Sequence, residues 1–234
     1  MGKVLRPFAR GGVVLVPAAC CAAASAHEPP HKPRQDFVAP AAGSYRLQAI
    51  QAAPDGHVLD TEGAPRRLAH FVTGAVTLLS FVYTYCVDPA GCPLAYEAFV
   101  ELRSRITADP ALRGRIRFVS LSFDPVNDTP AAMRLYGGGY AQRGGPLPWH
   151  FLTTRSVAEL MPVLDSFGQD VAVEVDAQGA PTRTISHMLK VFLIDRRGVV
   201  REIYTTAFLL PQVMLNDIRT LLLEEEERPG WARR

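Results

Sequence analysis

The strongest pattern in the 234-residue chain is the run Ala75–Tyr83 (AVTLLSFVY), where apolar and β-branched residues follow one another almost without a break. Alternation would mark a strand with one wet face. A continuous run of this length predicts a strand covered on both faces, as in a parallel sheet. The period then changes. From Pro93 to about Ala108, Ala95, Phe99, Leu102 and Ile106 recur at helical spacing. A proline can open that helix, because its missing N–H would be unpaired in the first turn anyway. Arg115–Phe123 (RIRFVSLSF) returns to a strand pattern, so the three segments predict a βαβ unit.

Further along, Thr129 opens a short helix closed by Gly137-Gly138-Gly139, and Ser156 caps another running to about Phe167. Met188–Asp195 (MLKVFLID) and Val199–Thr205 (VVREIYT) read as two strands joined by a hairpin-like turn at Arg196-Arg197-Gly198. A last helix, about Leu210 to Glu226, carries Met214, Ile218, Leu221 and Leu222 on one face, with Glu224–Glu227 as its solvated end. The order β-α-β-α-β-β-α predicts an α/β, thioredoxin-like fold: a central mixed sheet with helices on both faces.

Composition agrees with one soluble domain, at 48% hydrophobic and 21% charged residues. The formal charge is +2, but Lys3, Arg6 and Arg10 supply the excess; the chain from residue 27 onward has 22 basic and 23 acidic residues. A near-neutral surface without a basic cluster excludes nucleic acid as a partner. Those three basic residues, the small apolar stretch Gly11–Ala23 and the sequence Ala24-Ser25-Ala26 together predict an export signal. Residues 1–26 are therefore expected to be a signal peptide or, if retained, an N-terminal anchor that would associate the protein with a membrane. Pro17 interrupts the run, which is short for a span, and stands where a lipoprotein signal around Cys20 wants leucine. Residues 27–45 are expected to be a flexible linker, 46–228 the folded domain and 229–234 a tail. The expected location is the periplasm or the outer face of the cytoplasmic membrane.

With Cys20 and Cys21 assigned to the signal, Cys86 and Cys92 are the remaining thiols. An oxidising compartment permits a disulfide between them, although a domain of this size does not need one for stability. Their position is more telling. Cys86-Val-Asp-Pro-Ala-Gly-Cys92-Pro93 joins the end of a buried strand to the start of a helix. Ligand sites in open α/β sheets form outside the carboxyl ends of the strands. The helix N-terminus is expected to favour the Cys92 thiolate. A thiolate is both a redox nucleophile and a soft metal donor, so the pair alone fits either chemistry.

Two observations separate them. Five residues lie between the cysteines, where thiol oxidoreductases of this fold use two. His187, in Thr184-Ile-Ser-His187-Met188, occupies the loop where such oxidoreductases carry a cis-proline; the nearest proline here is Pro181. Two thiolates and an imidazole suit copper, Cu(I) in trigonal geometry or Cu(II) with an added ligand.

These segments resemble the Sco/SenC family, named for synthesis of cytochrome c oxidase. The resemblance spans about residues 72–224. It rests on Phe81-Val-Tyr-Thr-Tyr-Cys86, Cys92-Pro93, Ser122-Phe-Asp124-Pro125-Val-Asn-Asp128-Thr129-Pro130, Ser186-His187 and Leu193-Ile-Asp195-Arg-Arg-Gly198. It implies a copper metallochaperone for the dinuclear copper centre of a haem-copper oxidase, with Cys86, Cys92 and His187 as ligands. Its partner would be a copper-containing oxidase subunit or another copper carrier. The departure is the five-residue spacing, since most members have three.

The alternative is a thiol–disulfide oxidoreductase that reduces the cysteines of a copper-site protein before metallation. It would use Cys86 and Cys92 and leave His187 spare. A thiol peroxidase does not fit, because Tyr83 and Leu79 stand where a polarising Thr or Ser and an upstream proline are needed. Among other residues, Asp124 reads as a turn residue or a group behind the site. Tyr83 and Tyr85 read as core more than pocket. Met188 is expected to pack away from the site, and His27, His31, His57, His70 and His150 to be solvated or structural.

Overall fold

The computed structural model of the chain describes residue 33, residues 35–142 and residues 144–227. Cys20, Cys21, His27, His31 and the segment read as an export signal lie outside the described residues. In chain order the strands and α-helices are β1 (Gln51–Ala52), the hairpin β2 (His57–Leu59) and β3 (Pro65–Arg67), and α1 (Ala69–Val72). Next come β4 (Val76–Val82), α2 (Cys92–Ala108), β5 (Ile116–Ser122), α3 (Pro130–Gly137), β6 (Trp149–Leu152) and α4 (Val157–Phe167). A second hairpin follows, β7 (Val171–Val175) and β8 (Pro181–His187), and then β9 (Lys190–Ile194), β10 (Val199–Thr205) and α5 (Pro211–Glu226).

Six strands form one mixed sheet in the order β1-β10-β9-β4-β5-β6. β4, β5 and β6 run parallel, β9 is antiparallel to β4, and β10 is antiparallel to β9. All seven residues of β4 are buried, as the unbroken apolar run predicts. The pleat divides them between two layers. Leu78 pairs with Phe118 of β5, which packs on Phe99 of α2 at 4.7 Å between ring centroids. Phe81 points the other way, onto Phe167 of α4 at 5.4 Å, and Phe167 also meets Phe192 of β9 at 4.9 Å. Helices therefore cover both faces, and the architecture is the thioredoxin-like one.

The local stop and start signals act as their chemistry requires. Thr129 and Ser156 each accept a hydrogen bond from the backbone N–H three residues on, at 3.2 and 3.3 Å. Gly198 adopts φ +78° in the turn joining β9 to β10, where its N–H bonds Asp195 O at 2.9 Å.

Three features differ from the sequence expectation. β6 is four residues long and follows Pro146-Leu-Pro148, too short to show a period. The hairpin β7–β8 is almost wholly exposed, so it leaves no apolar signature; it occupies the stretch between α4 and β9. Glu224, expected in solvent, is buried, because the turn of α5 aims it at Arg201 of β10, 2.7 Å away. The lead-in chain also packs on α5: Asn216 Nδ2 donates to Pro40 O at 2.7 Å and Gly43 N to Thr220 Oγ1 at 2.9 Å.

Candidate metal centre

The two cysteines flank the turn that carries the chain from the carboxyl end of β4 into α2. Cys86 N bonds Tyr83 O at 3.2 Å and Gly91 N bonds Asp88 O at 3.0 Å, so the loop is two successive turns. Gly91 is the N-cap of α2 and Cys92 its first residue. A Cβ on Gly91 would lie 3.2 Å from Cys86 Sγ, tight against the sulfur. Cys86 is partly exposed and Cys92 is 1% exposed; neither is in a disulfide.

The thiols are unequal. The Cys92 thiol donates to Cys86 and holds its pKa down to about 6; the N–H groups of Cys92 and Asp88 add to this, as does nearby His187, against the cost of burial. Cys92 is pushed up, first by that same hydrogen bond and then by its own burial. The expectation that the helix N-terminus favours the Cys92 thiolate is thus corrected. The Cys92 N–H, at the start of α2, favours both thiolates, but the hydrogen bond to Cys86 and burial outweigh it at Cys92, which stays protonated.

His187 is the last residue of β8. Its ring lies 4.7 Å from Phe123 and 6.0 Å from Tyr83 between centroids. Nδ1 is 3.0 Å from Ile185 O, so this nitrogen carries the proton and donates. Nε2 is buried with no hydrogen-bond partner among the described residues. Tyr83 links the two sides of the site. Its hydroxyl accepts from Ile185 N at 3.5 Å and donates to the Cys86 sulfur. Its pKa is pushed up to about 12, mainly by burial and then by the neighbouring sulfur. The sequence placed Tyr83 in the core; it is in the core and at the site together.

No three His, Cys, Asp or Glu side chains among the described residues are gathered tightly enough to hold a metal ion as they stand. The sulfurs are together, and His187 is close enough to act on Cys86 electrostatically, but the three side chains do not form a ready-made site. Other candidates fall outside. The Asp124 carboxylate accepts from Asn127 Nδ2 at 2.8 Å, its turn reading. Tyr85 is exposed beneath the guanidinium of Arg183, 4.2 Å from the ring centre. Met188 is 62% exposed, so the packing expected of it does not occur. His57 meets Arg67, and His70 and His150 pack on Phe71. Those three histidines line a groove of about 890 Å³ that none of Cys86, Cys92 and His187 borders.

A model of the SCO1/SenC family matches residues 49–223. The chain belongs to the SCO1/SenC family. Among solved structures it is similar to Arabidopsis thaliana ScoI with copper bound, at TM-score 0.60 and 16% identity over 74% of this chain and 99% of that one. It is similar to yeast Sco1 with copper bound, at TM-score 0.57 and 13% identity over 79% and 99%. BsSco, a member of the Sco family of cytochrome c oxidase assembly proteins, matches at TM-score 0.55 and 21% identity over 76% and 98%. No curated relative matches the chain by sequence.

In this SCO1/SenC chain two further residues shape the site, and neither had a role assigned from its sequence pattern. Asp128, 1% exposed, accepts from Thr84 N at 3.0 Å, Thr84 Oγ1 at 2.5 Å and Ser122 Oγ at 2.6 Å, clamping the start of the cysteine loop to the end of β5. In the sequence it stood out only as part of the Ser122–Pro130 stretch that carries the family resemblance, with no role attached. Gln169, 3% exposed, donates from Nε2 to Met188 O at 3.0 Å and so closes the base of the hairpin that carries His187. A glutamine in a polar stretch gives no warning of that.

Proposed function

We propose that the chain is an exported copper carrier that delivers copper to the copper centre of a haem-copper (cytochrome c) oxidase, or to another carrier. Cys86, Cys92 and His187 are the ligands. The observation that carries this reading is the unpartnered Nε2 of His187. A buried ring nitrogen without a partner costs free energy that a hydrogen bond or a metal would recover. The bond from Nδ1 to Ile185 O fixes the tautomer whose free lone pair sits on Nε2, the form in which histidine ligates metals. Two soft sulfurs and an imidazole match copper by donor type. Copper is cargo here, so the protein works as a binding protein and not as an enzyme. It must release what it binds, and a donor set that closes only on the ion is suited to that. Relatives of the same fold hold copper in Arabidopsis thaliana ScoI and yeast Sco1. Residues 1–26 serve as signal or anchor, 46–228 as the copper-binding domain and 229–234 as tail; of the expected linker 27–45, residues 40–45 are docked on α5 and so belong with the domain.

The inequality of the thiols favours a second reading, reduction of a partner's disulfide. The Cys86 thiolate attacks one partner sulfur, forming a mixed disulfide and expelling a partner thiolate. Cys92 then gives up its proton and attacks Cys86. A Cys86–Cys92 disulfide forms, the second partner thiolate leaves, and two electrons have passed to the partner. A dithiol reductant must restore the pair.

Anaerobic Cu(I) titration against a competing chelator tests the first reading. One copper per chain is expected, with weakened binding in Cys86→Ser, Cys92→Ser and His187→Ala. A His187→Ala chain that holds copper as tightly as the parent would sink it.

A further inference from the structure

We infer that the free edge of β7 is a docking site for an extended, basic strand of a partner protein. Among the described residues β7 and β8 form a sheet of two strands, so the outer edge of β7 has no described strand beside it. Exposed edges pair readily with other chains, and proteins blunt them with lysine, proline or bulges. β7 (VAVEV) has neither lysine nor proline, and its one bulge, between Val173 and Val175, leaves residues 171–173 in regular register. Val173 and Val175 are 55% and 62% exposed. An edge rich in valine, with no strand among the described residues on its outer side, is suited to strand addition.

Charge selects the occupant. From Gly168 to Thr182 the chain carries Asp170, Glu174 and Asp176 and no lysine or arginine. None of these three acids makes an ion pair with a described residue. Two copies pairing edge to edge would bring these acids together, and an anionic lipid surface would be repelled. A strand alternating β-branched and basic residues is complementary on both counts.

Register ties the edge to the centre. Val171 lies opposite His187 and Val173 opposite Ile185, and directly opposed residues of an antiparallel pair share one face. A strand added to β7 would therefore present alternate side chains on the face that carries the imidazole. It would lie two strand spacings from His187, roughly 10 Å. That is near enough for a long partner side chain to approach the imidazole. The use of this dock in copper transfer rests on the metal reading above, but docking itself needs no metal.

The test is backbone NMR and amide hydrogen exchange on the full chain, reduced and metal-free. The probes are an octapeptide alternating valine with lysine and a twin with glutamate in place of lysine. The lysine peptide is expected to shift and protect amides of residues 170–176, and the glutamate twin is not. In Asp170→Lys/Glu174→Lys, with the rest of the spectrum unchanged as the check on folding, the lysine peptide should bind about tenfold more weakly and the twin more tightly. Perturbation mapping elsewhere, or affinity indifferent to the charge swap, overturns the proposal. So does protection of β7 that grows with protein concentration alone, which would make a second copy the occupant, or protection by vesicles containing anionic lipid. Failure of the copper titration leaves this result standing, and failure here leaves the copper site standing.

Discussion

Cys86 and Cys92 share one loop, yet one thiol is poised to ionise and the other is held protonated; the hydrogen bond between them is the largest cause, with backbone N–H donors and His187 favouring the Cys86 thiolate and burial adding to the rise at Cys92. This has a direct chemical consequence. In the reduced, metal-free chain, alkylation should modify Cys86 first, at a rate that is low below pH 6 and rises through about 6 as its thiolate forms. Peptide mapping after iodoacetamide treatment over a pH series checks this; a rise only near the ordinary thiol value would refute it. Asp128 acts at the same scale. Three donors converge on its buried carboxylate, so Asp128→Ala strands Thr84 and Ser122 and should destabilise the fold by about 2–3 kcal/mol. Denaturant unfolding gives that figure, and Asp128→Asn should recover part of it, because its amide oxygen still accepts.

Among the elements, β4 and the strands beside it carry the core and hold the cysteine loop at their carboxyl ends. Phe118→Ala empties the layer between the sheet and α2, where Phe99 and Trp149 pack against it. It should cost about 3–5 kcal/mol in denaturant unfolding. This layer was legible in advance. β4, α2, β5 and the pair β9–β10 each bury one or two faces, and burial is what prints a period on a sequence. The Thr129 and Ser156 caps were legible for a different reason, since few side chains bond a helix N-terminus. The hairpin β7–β8 was not, because it buries almost nothing. His187 was therefore placed in a loop when it ends a strand. The site was legible as residue types and only partly as geometry. Cys86 and Cys92 could be picked out as candidates by donor chemistry, and His187 by its place before β9 and the family resemblance. That the N–H groups of Asp88 and Cys92 would turn toward Cys86, or that Tyr83 would bridge Ile185 to the sulfur, depends on side-chain approach that no local pattern encodes.

Across the whole molecule, residues far apart in sequence are locked around Arg201. It is 7% exposed and reaches Asp195 at 3.1 Å and Glu224 at 2.7 Å, while donating to Gln48 O at 3.1 Å and to Leu47 O. One guanidinium thus joins the lead-in chain, the β9–β10 turn and α5. Arg201→Met strips buried Glu224 of its cation and leaves Asp195 with only Arg197, 3.4 Å away; it should cost about 3–5 kcal/mol, with amide exchange quickening in residues 40–50 as the lead-in loosens. The proposed centre depends on the same kind of long-range placement, because β8 must bring its imidazole to sulfurs held at the end of β4. X-ray absorption on the copper-loaded chain tests that most directly. The account predicts two sulfur neighbours and an imidazole nitrogen, the nitrogen disappearing in His187→Ala. A shell of sulfur alone, or a nitrogen that survives that substitution, would contradict it.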